Sequence, residues 1–147
     1  MNKEKFVDKW LRIIMSFVFL WAFVDKLFGL GFATKAGDAW IRGGSPTHGF
    51  LAFATKGPFV EFFHSIASMA IVDWVFMLSL LFIGLTLLFN KYLKIGVFIG
   101  IILLFLMYIS LLLPVNNPII DKHIVYIFVL ASIYLNNKKI KSNYSTT

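Results

Sequence analysis

The chain of 147 residues contains no cysteine and carries little charge. The lack of cysteine excludes disulfides, thiolate metal sites and dithiol redox chemistry within this chain. Charged residues make up only 14% of it, against roughly 25% in ordinary soluble domains. A chain this poor in charge cannot cover itself with polar side chains, so we expect it to present apolar surface to lipid.

The sequence also lacks a Walker loop, a dinucleotide-binding fingerprint and a nucleophile elbow. Its net charge is +7, but no basic stripe with interleaved aromatic residues lies outside the apolar segments, so nucleic-acid binding is not expected. The histidines are His48, His64 and His123. No two of them share the spacing that places ligands on one helix face, so no metal or haem is predicted.

What the chain has instead is four long apolar segments, at about residues 10–32, 73–89, 93–113 and 119–135. A membrane-spanning helix needs about 20 mostly apolar residues. The first segment is followed by no small-residue cleavage site and is too long for a signal peptide, so we interpret it as a retained span. The sequence therefore predicts a single all-α domain, an integral membrane four-helix bundle.

Turn-forming residues separate these spans. Residues 90–91 predict a tight turn, and Pro114 and Pro118 bracket the stop of the third span and the start of the fourth, with Asn117 as a cap. The tail, residues 136–147, is polar and basic and is expected to fray.

The distribution of lysine and arginine predicts the orientation, because cytoplasmic loops carry the excess of these residues. Nine of the 14 lie on the side of the two termini, which also holds only two of the seven acids. The whole net charge of +7 then lies on that side. We expect a multi-pass protein of the cell membrane with both termini cytoplasmic. The nine residues are Lys3, Lys5, Lys9, Arg12, Lys91, Lys94, Lys138, Lys139 and Lys141.

The outer loop, residues 33–72, is long enough to be functional. Ser45 and Pro46 are typical of a helix cap followed by a first helical residue, and residues 57–58 predict a second start. The sequence therefore predicts short amphipathic helices that lie on the membrane surface or cap the bundle. The apolar residues at helical spacing are Phe59, Phe62, Phe63 and Ile66.

Asp25 and Lys26 interrupt the outer third of the first span. Ionisable residues at membrane depth are costly and usually face the bundle interior or a cavity. The helix dipole disfavours an acid near a helix C-terminus, so neither dipole nor capping is expected to explain Asp25. The alternative is an interfacial pair in which Lys26 extends to the lipid headgroups. Both interpretations stay open.

Trp21 lies one helical turn from Asp25 on the same face of the first span. An aromatic ring beside an ionisable group suits a quinone headgroup. The alternative is an ordinary aromatic belt at the membrane interface.

At the start of the fourth span lie Asp121 and His123. His123 is the histidine placed to sit in the bundle, and histidine is the residue type suited to proton delivery to a quinone. The structural alternative for Asp121 is a favourable position in the first helical turn. Asp73 is predicted to be the N-cap of the second span.

Gly96 and Gly100 form a small-xxx-small pair in the third span. This spacing allows close approach of another helix. It predicts packing within the chain, with a homo-oligomer contact as the alternative.

Four patches resemble one family: FLWAFVDKLFGLG at 19–31, GGSPT at 43–47, DWVFM at 73–77 and NNPIIDKH at 116–123. Together they resemble the DoxX family of bacterial and archaeal membrane proteins, which is similar to DoxD, the membrane subunit of thiosulfate:quinone oxidoreductase. The resemblance covers about residues 10–135. It implies a four-helix bundle and a quinone-linked redox role beside a partner subunit. The same architecture is shared with some relatives that use paired cysteines; this chain has none, so their thiol chemistry is not carried over to it.

The leading hypothesis is a membrane subunit of a quinone-linked redox system that oxidises thiosulfate or another sulfur compound. Quinone would bind near the outer surface against Trp21, while Asp25, Lys26, Asp121 and His123 would manage protons, and a partner subunit would supply the electrons. The first alternative is a non-enzymatic assembly or anchoring protein that docks its partner through the outer loop. The second is a small transporter or lipid-binding protein, although no inverted repeat is apparent.

Overall fold

A computed structural model describes residues 3–112 and 119–145. It contains five α-helices: α1 (Lys3–Phe28), α2 (Val60–Ile66), α3 (Ala70–Phe89), α4 (Leu93–Ser110) and α5 (Lys122–Ser145). Short 3₁₀ turns cover Ala36–Asp38 and Trp40–Arg42, and a π-helical turn covers Phe50–Ala54. Within the described ranges there is no strand, only an isolated bridge between Lys56 and Leu111. The predicted all-helical class is confirmed for this part of the chain.

Two of the long helices, α3 and α4, are long and apolar enough to cross a membrane, with mean hydropathies of 2.3 and 2.4. The other two, α1 and α5, carry charged residues at their basic ends. All four expose large apolar side chains, among them Phe17, Leu78, Phe98 and Phe128. Soluble monomers rarely expose apolar surface on this scale.

The four long helices share one core. Helix α1 packs against α3 and α5, and α4 packs against the same two helices. Large side chains in the middle of each helix fill the space between them. The buried core residues include Met15, Phe19, Met77, Ile83, Leu87, Val97, Leu130 and Ile133.

Helix α4 approaches its neighbours closely at two glycines. A Cβ atom added at Gly96 would overlap the Thr86 side chain, and one added at Gly100 would lie 2.8 Å from Leu130 Cδ1. These neighbours belong to α3 and α5 of the same chain, so the predicted packing within the chain is confirmed. The turn between α3 and α4 is also confirmed, with Asn90 in the left-handed region at φ 55°.

Several helix ends differ from the prediction. Helix α1 begins at Lys3 and ends at Phe28, where Gly29 takes a φ of 66°, whereas the predicted span was 10–32. Helix α5 continues to Ser145, so residues 136–145 of the polar tail are helical, and the expectation that the tail frays stays a prediction. Both helices thus continue beyond their apolar segments into stretches that contain several lysines. The predicted stop and cap at Pro114, Asn117 and Pro118 lie outside the described residues.

Candidate functional site

The segment between α1 and α3, residues 29–69, folds as a structured layer that we call the cap. Its own small core consists of Leu51, Phe63 and Ala67. The Lys56 backbone N–H donates a 2.8 Å hydrogen bond to the Ser110 carbonyl, which ties the cap to the end of α4. The predicted short helix after residues 57–58 is confirmed as α2.

Asp25, in the last turn of α1, is buried at the base of the cap, with 1% of its surface exposed. Its carboxylate accepts hydrogen bonds from the backbone N–H groups of Ala33 at 2.9 Å and Phe32 at 3.2 Å, one on each oxygen. These bonds do not cap α1, because a helix C-terminus leaves carbonyl groups rather than N–H groups unpaired. The donors belong to the chain after the helix, which turns back over the carboxylate.

Trp21 is joined to Asp25 through Phe32. The Phe32 ring packs edge-on against Trp21, with ring centroids 5.1 Å apart, while its backbone N–H binds the Asp25 carboxylate. Phe17 stacks on Trp21 from the other side, at 5.7 Å. The indole is 37% exposed. The structure thus brings these two predicted site residues together, with Trp21 on the outside and Asp25 sealed within.

The Lys26 side chain is directed towards the cap. Its ammonium group donates a 2.9 Å hydrogen bond to the Pro46 carbonyl and lies 5.7 Å from the centroid of the Phe76 ring. It also interacts electrostatically with the carboxylates of Asp25 and Asp73. The alternative in which Lys26 extends to lipid headgroups is therefore wrong for this conformation.

Asp73 organises the middle of the cap. Its Oδ1 atom accepts hydrogen bonds from the hydroxyls of Ser45 at 2.8 Å and Thr47 at 2.5 Å, and from the Thr47 backbone N–H at 3.2 Å. The predicted N-cap role was wrong, because α3 begins earlier, at Ala70, with Met69 preceding it. Asp73 lies in the first turn and binds the neighbouring loop instead.

Ser45 and Thr47 are the functional residues that the sequence argument missed as partners of Asp73. The available signal was a pair of hydroxyls flanking Pro46. Ser45 also accepts a 3.0 Å hydrogen bond from the His48 backbone N–H, but the helical turn that follows, Phe50–Ala54, begins after Gly49 and has no side-chain cap, so the predicted helix start at Pro46 was wrong. The His48 ring nitrogen Nδ1 lies 3.2 Å from the Ala67 carbonyl oxygen, so this histidine links two parts of the cap.

His123 and Asp121 form a second, separate group. The His123 side chain is buried, with its Nδ1 atom 2.5 Å from Asp121 Oδ2. The other carboxylate oxygen accepts hydrogen bonds from the N–H groups of His123 and Ile124, and so caps α5. Among the hydrogen bonds of residues 3–112 and 119–145, none joins this pair to Asp25. The predicted site residues therefore fall into two clusters.

An apolar groove of about 390 Å³ runs between α1 and α5, lined by residues that include Leu11, Val125 and Phe128. Successive helical residues turn by about 100°, so the buried His123 faces away from Val125 and Phe128. The groove therefore does not lead to the imidazole ring.

At the opposite end of α1, Asp8 is buried, and its Oδ2 atom lies 3.4 Å from Arg12 Nε. Arg12 also donates a 3.1 Å hydrogen bond to the Leu87 carbonyl of α3. Burial raises the pKa of the Asp8 carboxyl, and the Arg12 guanidinium offsets part of that rise. This pair fastens α1 to α3 at the end where the termini lie.

Among the residues that the structure describes, no group of three histidine or acidic side chains is placed to hold a metal ion. No protein-family model, curated protein or solved structure matches the chain. The resemblance to the DoxX family therefore stays a prediction from the sequence patches.

Proposed function

We propose that the chain is an integral membrane protein whose four long helices span the bilayer, with both termini in the cytoplasm and the cap outside. The apolar lengths of α3 and α4 support insertion, as do the exposed apolar side chains on all four helices. The basic residues on the side of the termini support the orientation. The distance from Arg12 to Leu87 places the basic half of α1 beside the end of α3.

Within this membrane protein, we propose the role of a non-catalytic, DoxX-like membrane subunit of a redox system that holds a partner at its outer surface. One observation carries the proposal. The three ionisable side chains at the base of the cap, Asp25, Lys26 and Asp73, all bind the cap itself. Each of the three has at least one hydrogen-bond partner in the cap.

Such a network stabilises a rigid platform. Buried polar groups that are fully hydrogen-bonded specify one conformation, because leaving any one of them unpaired is costly. A rigid surface also loses less conformational entropy when a partner binds. The charged side chains at the base of the cap thus fix its conformation, and this fixed conformation favours the binding of a partner.

The docking face that we propose consists of Phe53, Phe59 and Phe62 on the outside of the cap. Their side chains are 81%, 47% and 58% exposed. Aromatic residues are enriched in the cores of protein interfaces. Electrons come from the partner, so we expect the isolated chain to have no oxidoreductase activity.

A quinone-binding subunit is the second candidate, which the buried His123–Asp121 pair favours. A histidine 2.5 Å from a carboxylate is suited to proton transfer. In this alternative the quinone ring approaches the outer end of α5, and His123 handles its protons.

One experiment separates the two candidates. The complex is purified from its own membranes, and two quantities are measured: the amount of co-purified partner and quinone reduction per assembled complex. For a docking subunit, replacing Phe53, Phe59 and Phe62 by serine removes the partner, while His123→Gln leaves turnover per complex unchanged. For a quinone site, His123→Gln lowers turnover by roughly 100-fold or more and leaves assembly intact. The control is Phe98→Ser, an exposed aromatic on α4 away from the cap.

A further inference from the structure

At the end of the molecule opposite the cap, a hollow of about 430 Å³ lies between the start of α4 and the second half of α5. Lys94 and Lys138 line it, and both side chains are exposed. Tyr92 and Tyr134 bring two phenol rings to the same hollow. It belongs to neither cluster of the candidate site, and the cap does not reach it.

The charged residues that line the hollow are all basic. None of the described residues that line it is acidic, while two are lysines. On this side of the chain the only acids in the sequence are Glu4 and Asp8. Asp8 lies against Arg12, so its charge is already compensated. The charge of the hollow therefore matches an anion.

The remaining lining is apolar. Leu93 is buried in the helix core, whereas Ile95 is 51% exposed and continues from the hollow onto the outer surface of α4. Beyond Ile95 the same helix exposes Phe98 and Ile102, which lie further towards the membrane centre. A ligand with an anionic end and an apolar end fits this surface. Its anionic end would contact the lysines, and its apolar end would lie along the exposed apolar face of α4.

One hydrogen bond and one backbone conformation fix the walls of the hollow without any ligand. The Asn137 side-chain amide donates a 3.0 Å hydrogen bond to the Asn90 side-chain oxygen, which joins α5 to the turn before α4. Tyr92 occupies the left-handed region at φ 53° and so sets the direction in which α4 leaves the turn. The spacing between the walls that carry Lys94 and Lys138 is thus set by the fold.

We propose that this hollow binds the phosphate headgroup of an anionic phospholipid from the cytoplasmic leaflet. Lys94 and Lys138 contact the phosphate, and an acyl chain lies along Ile95 and the outer face of α4. Basic pockets between helices at the cytoplasmic surface are a known means of holding such headgroups. The inference rests on the proposed membrane insertion, but it requires neither a redox partner nor quinone.

The test is native mass spectrometry of the full chain in detergent, titrated with phosphatidylglycerol or with zwitterionic phosphatidylcholine. A lysine near an anionic surface contributes about a fivefold gain in binding. We therefore expect the double variant Lys94→Gln/Lys138→Gln to bind phosphatidylglycerol roughly thirtyfold more weakly, with little change for phosphatidylcholine. The matched control Lys56→Gln/Lys122→Gln removes the same charge at the other end and should retain the wild-type affinity.

Equal losses in the two double variants would overturn the proposal, because the effect would then be net charge alone. Displacement of the bound lipid by millimolar inorganic phosphate would also overturn it, in favour of a site for free phosphate. Circular dichroism of each variant checks that the helices are intact. The titration contains neither the partner nor quinone, so equal lipid binding by wild type and the Lys94/Lys138 variant would overturn the lipid site without bearing on the docking role. Failure of membrane insertion is detected separately by labelling introduced cysteines.

Discussion

The Asp25 carboxylate accepts a 2.9 Å hydrogen bond from the backbone N–H of Ala33, eight residues further along the chain. The bond closes the chain over the end of α1 and removes the acid from contact with the surroundings. An ionisable residue at membrane depth is usually taken as a functional site. Here the carboxylate hydrogen-bonds the start of the cap to the end of α1, and substitution tests how much this stabilises the cap.

Asp25→Asn should destabilise the cap. The substitution removes the charge and turns one of the two acceptor oxygens into a donor, which faces another donor in the fold. We expect a loss of roughly 2–3 kcal/mol in unfolding free energy and faster tryptic cleavage at the exposed Lys35 of the cap. Tryptophan fluorescence during heating measures the loss of stability, and timed proteolysis measures the rate of cleavage at Lys35. Asp38→Asn, at an exposed acid in the same segment, is the control and should match the wild type.

Thr47→Val should weaken the link between the cap and α3. The Thr47 hydroxyl donates to Asp73, and valine keeps the shape without the donor. We expect a loss of roughly 1–3 kcal/mol, measured by thermal unfolding. Thr34→Val is the matched control, because the buried Thr34 hydroxyl has no hydrogen-bond partner among the described residues. Equal effects of the two valines would contradict the assigned role of Thr47.

Gly96→Ala should destabilise the bundle, because the added methyl group would overlap the Thr86 side chain of α3. Overpacking of this kind costs about 1–3 kcal/mol. Gly37→Ala provides the comparison, since a methyl group there meets nothing within 4 Å. The two variants are compared by their midpoints of thermal unfolding. A neutral Gly96→Ala would show that α3 and α4 are further apart than described.

Asp8 should make stability depend on pH. Burial raises its pKa in the folded chain above the ordinary value of an aspartate, so the folded state holds the proton more strongly than the unfolded state. The stabilising contribution of protonated Asp8 is then present below that ordinary pKa and is lost as the pH rises through the folded pKa. The difference in unfolding free energy between wild type and Asp8→Asn should decrease over this range. An increase with pH would mean that attraction to Arg12 outweighs burial.

The orientation can be measured directly because the chain has no native cysteine. Single cysteines are introduced by Asp38→Cys in the cap and Lys91→Cys in the turn between α3 and α4. In intact cells, a membrane-impermeant maleimide should label the first and spare the second, and permeabilisation should expose both. The reverse pattern would overturn the proposed topology.

The sequence predicted the parts of the structure that depend on local pattern. Apolar length predicted α3 and α4, and helical spacing of aromatics predicted α2. These features depend on neighbours within a few residues, so they can be read from the chain alone.

The roles of the charged residues did not follow from the sequence. Asp73 was expected to cap its own helix, but its partners are Ser45 and Thr47, more than twenty residues earlier. Asp25 was expected either to face the bundle interior or a cavity, or to form an interfacial pair with Lys26, but its donors are the N–H groups of a loop whose path no local rule predicts. Long-range hydrogen bonds of this kind require both segments to be in place before either partner can be named.

By itself, the sequence determined that this is a helical, lipid-compatible protein with an uneven distribution of charge, because apolarity and charge are sums over the chain. The tertiary structure decided which charges are available for chemistry. It buries Asp25 beneath the cap, joins Lys26 to Pro46 and pairs His123 with Asp121. A hydrogen bond depends on distances of a few tenths of an ångström, and only the packed helices set those distances.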